Sequence, residues 1–316
     1  MTNRRLATGL VILLLLSLTA CQPAEQSQQE EGAAEGAAAE GSAAGHVVEI
    51  TAVDYAFDAP DTIPSGWVTF RMKNEGEESH HFHLRPIPEG RTFAEWREDV
   101  KEPVDSIWQL LAEGKIDSAE VGAAIDQTIP SWADSVHIYG GVGLVAPGRT
   151  GQATHRVEPG HYVLICVIRA PGGRAHHLLG MVDGLVAVES SAGRSPPEPD
   201  ATVRGVRREI RMDDTLTSGR RTVGFRVDEV PEGLDRGSDG DYSVWLARLD
   251  NTTDAGDVRA WEFENPAPYE SLGGFEYLPP SETAYITADF ESGRYAWIWF
   301  YLGWDPSPLV ETFTVE

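Results

Sequence analysis

The sequence predicts an all-β chain built as two tandem β-sandwiches, the first carrying a short helical insertion. Three observations lead there. Short runs of alternating apolar and polar residues are separated by Pro, Gly and Asn/Asp punctuation. The order of those runs in the first half returns in the second. A stretch of Pro and small residues, 191–200 (SAGRSPPEPD), divides the two halves. A length of 316 residues accommodates two domains of ~100–200 residues each.

Taken in order, residues 1–21 read as an export signal. Arg4 and Arg5 form a basic start, and Leu6 to Leu18 is an apolar core too short to span a bilayer comfortably. It ends in Leu18-Thr19-Ala20-Cys21, which resembles the lipobox of bacterial lipoproteins. That resemblance implies a diacylated Cys21 as the mature N-terminus. The expected location is the cell envelope outside the cytoplasm. In a double-membraned cell this is the periplasmic face of the outer membrane, and otherwise the outer face of the cell membrane. Residues 22–45 hold no aromatic residue and no aliphatic one larger than Ala, so they read as a disordered Gly/Ala/Glu tether.

The first domain is expected over 46–190. Strands are predicted at 47–54, 66–73, 80–87, 150–157, 161–168 and 184–189. Residues 92–127 switch to helical spacing with breaks at Pro103 and Gly114, and predict an insertion of two or three short helices. After the linker at 191–200, the second domain is expected over 201–316. REIRMDD (208–214) parallels VEITAVD, and RRTVGFRVDE (220–229) parallels GWVTFRMKNE. DYSVWLARLDN (241–251) parallels HHFHLRPI. The clearest repeat sets Gly160-His161-Tyr162 against Gly293-Arg294-Tyr295, which places Trp299 opposite Cys166.

Composition narrows the function. The net charge is −25, with 25 basic and 50 acidic residues. Nucleic-acid binding is not expected, because binders meet phosphate with Lys and Arg. No Ser/His/Asp arrangement, working carboxylate pair or phosphate loop stands out, so no enzymatic activity is expected. The two cysteines are Cys21 and Cys166, and all nine histidines lie at or before His177. Soft-metal chemistry therefore belongs to the first half.

Four positions there form a pattern. His80 follows the turn Asn74-Glu75-Gly76, Cys166 ends the run YVLIC, and His176 and Met181 follow in CVIRAPGGRAHHLLGMVDG. Over residues 47–190 this resembles the cupredoxins, the blue-copper domains. The resemblance implies a Greek-key sandwich in each half. It also implies one type 1 copper site, with His80, Cys166 and His176 as ligands and Met181 as the weak axial one. Two imidazoles and a thiolate with a distant thioether suit both Cu(II) and Cu(I). Alternation puts His80 on the face of Phe82 and Leu84, leaving His81 and His83 outward. His177 remains the alternative to His176. The residues beside Cys166 are Ile165 and Val167, where coupled copper enzymes carry His. The second domain resembles the fold only and carries no ligands.

The function implied is a membrane-tethered carrier of electrons between redox protein partners outside the cytoplasm. By the same resemblance, the loop histidine lies at the surface, with Arg169 and Arg174 beside it to meet an anionic partner. The other readings are a copper-binding or copper-delivery lipoprotein and a metal-free module for adhesion or assembly.

Overall fold

A computed structural model describes residues 46–134, 138–190, 195–231, 241–301 and 308–316 of the protein. The expected signal, Cys21 and the tether lie outside these residues, as do 191–194 of the linker.

The first half contributes β1 (His46–Val53), β2 (Ala56–Asp58), β3 (Thr62–Pro64), β4 (Gly66–Asn74) and β5 (His80–Ile87). After the helices come β6 (Gly141–Val145), β7 (Thr150–Val157), β8 (Gly160–Ile165) and β9 (Val182–Val188). The second half repeats the plan with β10 (Ala201–Val206), β11 (Glu209–Met212), β12 (Gly219–Glu229) and β13 (Tyr242–Leu249). It continues with β14 (Glu270–Leu278), β15 (Ala284–Phe290), β16 (Gly293–Tyr301) and β17 (Leu309–Val315). The chain is thus two β-sandwiches, as the alternating runs predict.

The sandwiches share their sheets. One sheet runs β11-β10-β12-β15-β7-β4-β1-β2 and the other β17-β16-β13-β14-β6-β5-β8-β9-β3. Each sheet therefore crosses from one half to the other, through β15–β7 and β14–β6. At the crossings Ile286 pairs with Ala153 and Phe275 with Val142. The spacing between these partners is the one that relates Gly160-His161-Tyr162 to Gly293-Arg294-Tyr295. Equivalent residues of the two halves thus meet each other, as a two-fold relation requires.

The interior between the sheets is apolar and continuous. Ile50, Phe70, Phe82, Leu84, Leu164, Phe225, Phe275 and Trp297 are all nearly or fully buried. Each such side chain contributes about 1.5–3 kcal/mol of transfer free energy. Strand β6 escapes the alternation test because all five of its residues are buried, so no polar residue marks its outer face.

The helical insertion extends further than predicted. α1 (Phe93–Trp96) passes through a π-turn at Arg97–Lys101 into α2 (Glu102–Ala112), followed by α3 (Ser118–Thr128) and α4 (Ser131–Asp134). Pro103 does not break the helix. It sits in the first turn of α2, where the missing N–H and the ring are accommodated beside the wider π-turn. Trp96 and Val100 pack with Ile87, Val163 and Ile165 on the outer face of β5 and β8.

Candidate metal centre

The turn before β5 is built by Asn74. Its buried amide donates to the carbonyls of Glu78 and Val145, both at 2.8 Å, and its Oδ1 accepts the N–H of Gly76 at 2.8 Å. These bonds tie residues 75–79 to β6 and bring His80 inward. Gly76 is required by close approach. A Cβ there would lie 2.3 Å from Asp54 Oδ1 and 2.7 Å from His80 Nε2.

Cys166 follows the end of β8 and is free and fully buried. A single 3₁₀ turn, His176–Leu179, returns the chain to β9. Within it His176 turns inward, and its Nδ1 lies 3.4 Å from Cys166 Sγ and 3.0 Å from His80 Nδ1. One donor atom from each of His80, Cys166 and His176 falls within 4.8 Å of the others. The Cys166 N–H donates to the Met181 carbonyl at 3.3 Å, one step beyond the Ile165–Val182 pair. Residues paired across antiparallel strands share a face, so the fully buried Met181 belongs to the side of Cys166.

Both imidazoles are held from behind by carboxylates. His80 Nε2 is 2.6 Å from Asp54 Oδ1, and His176 Nε2 is 2.9 Å from Glu78 Oε2. Such partners orient a metal-binding histidine and raise its basicity. Burial pushes the Asp54 carboxyl up, but the Glu77 N–H, the His80 ring and the Glu78 N–H outweigh it and leave the group below its ordinary range. Burial likewise opposes the Cys166 thiolate. The field of His81 and hydrogen bonds from His176, His80 and His81 overcome that and hold the thiol well below its usual value. A thiol poised to ionise between two imidazoles is suited to a soft, redox-active ion such as copper.

The structure brings together His80, Cys166 and His176 of the four residues the sequence singled out, and leaves Met181 buried beside Cys166. His177 does not join the cluster, and its Nδ1 is buried without a hydrogen-bond partner. Two expectations about exposure are corrected. His81 and His83 do not face solvent; each is 2% exposed. The outer face of β5 is covered by the second sandwich, because the intervening β6 offers glycine. A Cβ on Gly143 would stand 2.5 Å from Trp245 Cδ1, so the bare strand lets Trp245 approach to a ring separation of 5.8 Å from His81. His176 is not at the surface either. It is fully buried, with Tyr55 at a ring separation of 4.9 Å and Asn265 Nδ2 3.4 Å from its Nε2.

Sequence reasoning missed Asp54, Glu78, Asn265 and Glu276. Glu276 left a trace, a single acid inside the apolar run LGGFEYL. In the second sandwich the positions equivalent to His80 and Cys166 are Tyr242 and Trp299. Their rings stack at 5.1 Å and 15°, and both are fully buried.

The strand topology and the His–Cys–His cluster define the class: a cupredoxin-type fold with a buried site that could bind one copper ion. No protein-family model and no curated protein sequence matches the chain. Among solved structures it is similar to auracyanin A, a "blue" copper protein of Chloroflexus aurantiacus. The identity is 23% and the TM-score 0.26, covering 45% of this chain and 98% of that one. A multicopper oxidase matches at 10% identity and TM-score 0.23, covering 85% of this chain and 88% of its own. The copper nitrite reductase of Nitrosomonas europaea matches at 11% identity and TM-score 0.21, covering 86% and 93%. These last two names are those of enzymes, so the expectation that the chain is not an enzyme is withdrawn. The physical reason is that a His₂Cys copper site passes one electron at a time wherever it stands. Its ligands do not separate a carrier from the electron-accepting part of an enzyme.

Proposed function

We propose that the protein binds one copper ion, which His80 Nδ1, Cys166 Sγ and His176 Nδ1 would hold with Met181 as a further weak ligand. It exchanges single electrons with redox protein partners outside the cytoplasm. The observation that carries this reading is the convergence of two imidazole nitrogens and a thiol sulfur within 4.8 Å, all three residues buried. Copper held there supplies a one-electron couple. The chain does the rest. Asp54 and Glu78 fix the imidazoles. The buried setting excludes water from the sulfur, and the β8–β9 hairpin with β5 keeps the donors in place as the charge between them changes. We propose further that Cys21 carries a lipid that tethers the protein to a membrane. Mass analysis of the mature protein that found Cys21 unmodified would remove the tether.

The copper assignment is tested by adding Cu(II) to the wild-type protein and to Cys166→Ser. The wild type is expected to develop an intense visible band from thiolate-to-copper charge transfer, and Cys166→Ser to remain pale. An equally intense band in Cys166→Ser would overturn the assignment.

A further inference from the structure

Side chains of the second sandwich grip the metal cluster of the first. Glu276 on β14 is 1% exposed. Its Oε1 accepts the indole N–H of Trp245 at 2.9 Å and lies 2.8 Å from His81 Nδ1. The other ring nitrogen of His81, Nε2, accepts the backbone N–H of Val167 at 3.1 Å, immediately after Cys166. Asn265, between the short helix α5 (Ala255–Ala260) and β14, reaches the same cluster from another side. Its Oδ1 accepts the Ser79 N–H at 2.9 Å, and its Nδ2 lies 3.2 Å from Glu78 Oε2 and 3.4 Å from His176 Nε2. Asn265 thus holds the segments bearing His80 and His176 directly, and Glu276 reaches the Cys166 segment through His81.

A carboxylate with about 1% of its surface in water is costly to keep unless partnered. Here its partners are an indole and an imidazole that leads to the cysteine. Burial pushes the Glu276 carboxyl up, against the field of His81 and the hydrogen bonds of His81 and Trp245; as a carboxylate held by those two partners it acts on the metal with little screening. It favours the more highly charged oxidation state.

We propose that the second sandwich is a working part of the copper centre, with Glu276 a positioning residue that acts through His81 on Cys166 and biases the site toward Cu(II). This rests on the copper reading above. The half-reaction it modulates is Cu(II) + e⁻ → Cu(I), with the electron exchanged with a one-electron redox partner.

The test is the reduction potential of the copper-loaded full-length protein, measured by equilibrium titration against a redox dye. Glu276→Gln keeps the side chain's size and can still accept the Trp245 N–H, but removes the charge. It is expected to shift the relative affinity toward Cu(I) by about tenfold, an upward shift of about 59 mV for a one-electron couple. Trp245→Phe keeps an aromatic ring but removes the donor that partly offsets the carboxylate, so it is expected to lower the potential. A purely structural role would move the two variants alike. The inference fails if Glu276→Gln shifts the affinity ratio by less than threefold, or downward, or if Trp245→Phe raises the potential. If Glu276→Gln does not fold, Trp245→Phe decides alone: a lowered potential supports the inference, and an unchanged or raised one ends it. If the wild type gives no thiolate band with Cu(II), the copper reading itself has failed and this inference goes with it. A wild-type band with an unmoved potential defeats the inference only.

Discussion

His155 on β7 is buried without its charge. Its Nδ1–H donates to the Arg156 carbonyl at 3.2 Å, its Nε2 accepts the Gly141 N–H at 2.9 Å, and its ring stacks on Phe70 at 5.3 Å. The neutral ring therefore has both nitrogens satisfied, and burial pushes its pKa down from 6.5 to about 4. The stability linked to this group is complete above pH 6.5, where neither state binds the proton. As pH falls from 6.5 to about 4 the unfolded chain takes up a proton that the native state refuses, and that stability is lost. A displacement of this size corresponds to about 3 kcal/mol. Urea unfolding between pH 7 and pH 4 is expected to show a steeper acid loss in wild type than in His155→Gln. Equal slopes would mean that His155 contributes nothing to the acid limb. At this scale the sequence was informative about the donors and silent about their supports. The order His80, Cys166, His176, Met181 is written along one strand and one hairpin. Asp54 and Glu78 look like any other acids in a chain that has 50 of them.

Among the elements, the helical insertion has a task that its spacing alone did not reveal. Trp96 stacks on Phe93 at 6.1 Å and 11°, and packs with Val100 against Val163 and Ile165. This outer cluster is separate from the core between the sheets, yet Ile165 is the residue before Cys166. Trp96→Ala is expected to cost about 3 kcal/mol, at the low end for truncating a buried Trp, because the cavity opens at the rim of the fold. Chemical unfolding would measure it. The thiolate-to-copper band should be retained, since the inner cluster holds Cys166 independently. A variant that lost the band would make the insertion part of the copper site. Strand β6 shows why some elements were illegible. Its GVGLV run has no alternation to detect, because one face meets the core and the other meets Trp245 and its neighbours.

For the molecule as a whole, continuity of the sheets governs how the halves behave. Cutting the chain at the linker would free the edges of β14 and β15 in one piece and of β6 and β7 in the other. Unpaired edges of this kind invite association. The fragment 201–316 is therefore expected to aggregate or fold incompletely when made alone, as judged by size-exclusion chromatography and circular dichroism. A monomeric fragment that unfolds cooperatively would show that the second sandwich stands without the first. The acidic excess, net −25, keeps the surface charged but does not reach the centre of the contact. There the residues that touch are His81, His83, Trp245, Tyr277 and a single carboxylate, Glu276.

The sequence by itself determined the all-β class, the repeat, the helical insertion and the three residues, His80, Cys166 and His176, that the fold brings together. These are local properties: alternation within a strand, punctuation between strands, and the spacing of donors around one turn. Only the tertiary structure decided that His81 and His83 are buried, that His176 lies beneath Glu78, Tyr55 and Asn265, and that Glu276 leads through His81 to Cys166. The physical reason is distance along the chain. Asn265 and Glu276 lie about a hundred residues or more beyond the cluster they serve, and no periodicity links them to it. They arrive because two sheets continue across the repeat, and Gly143 leaves room there for Trp245, whose indole holds Glu276.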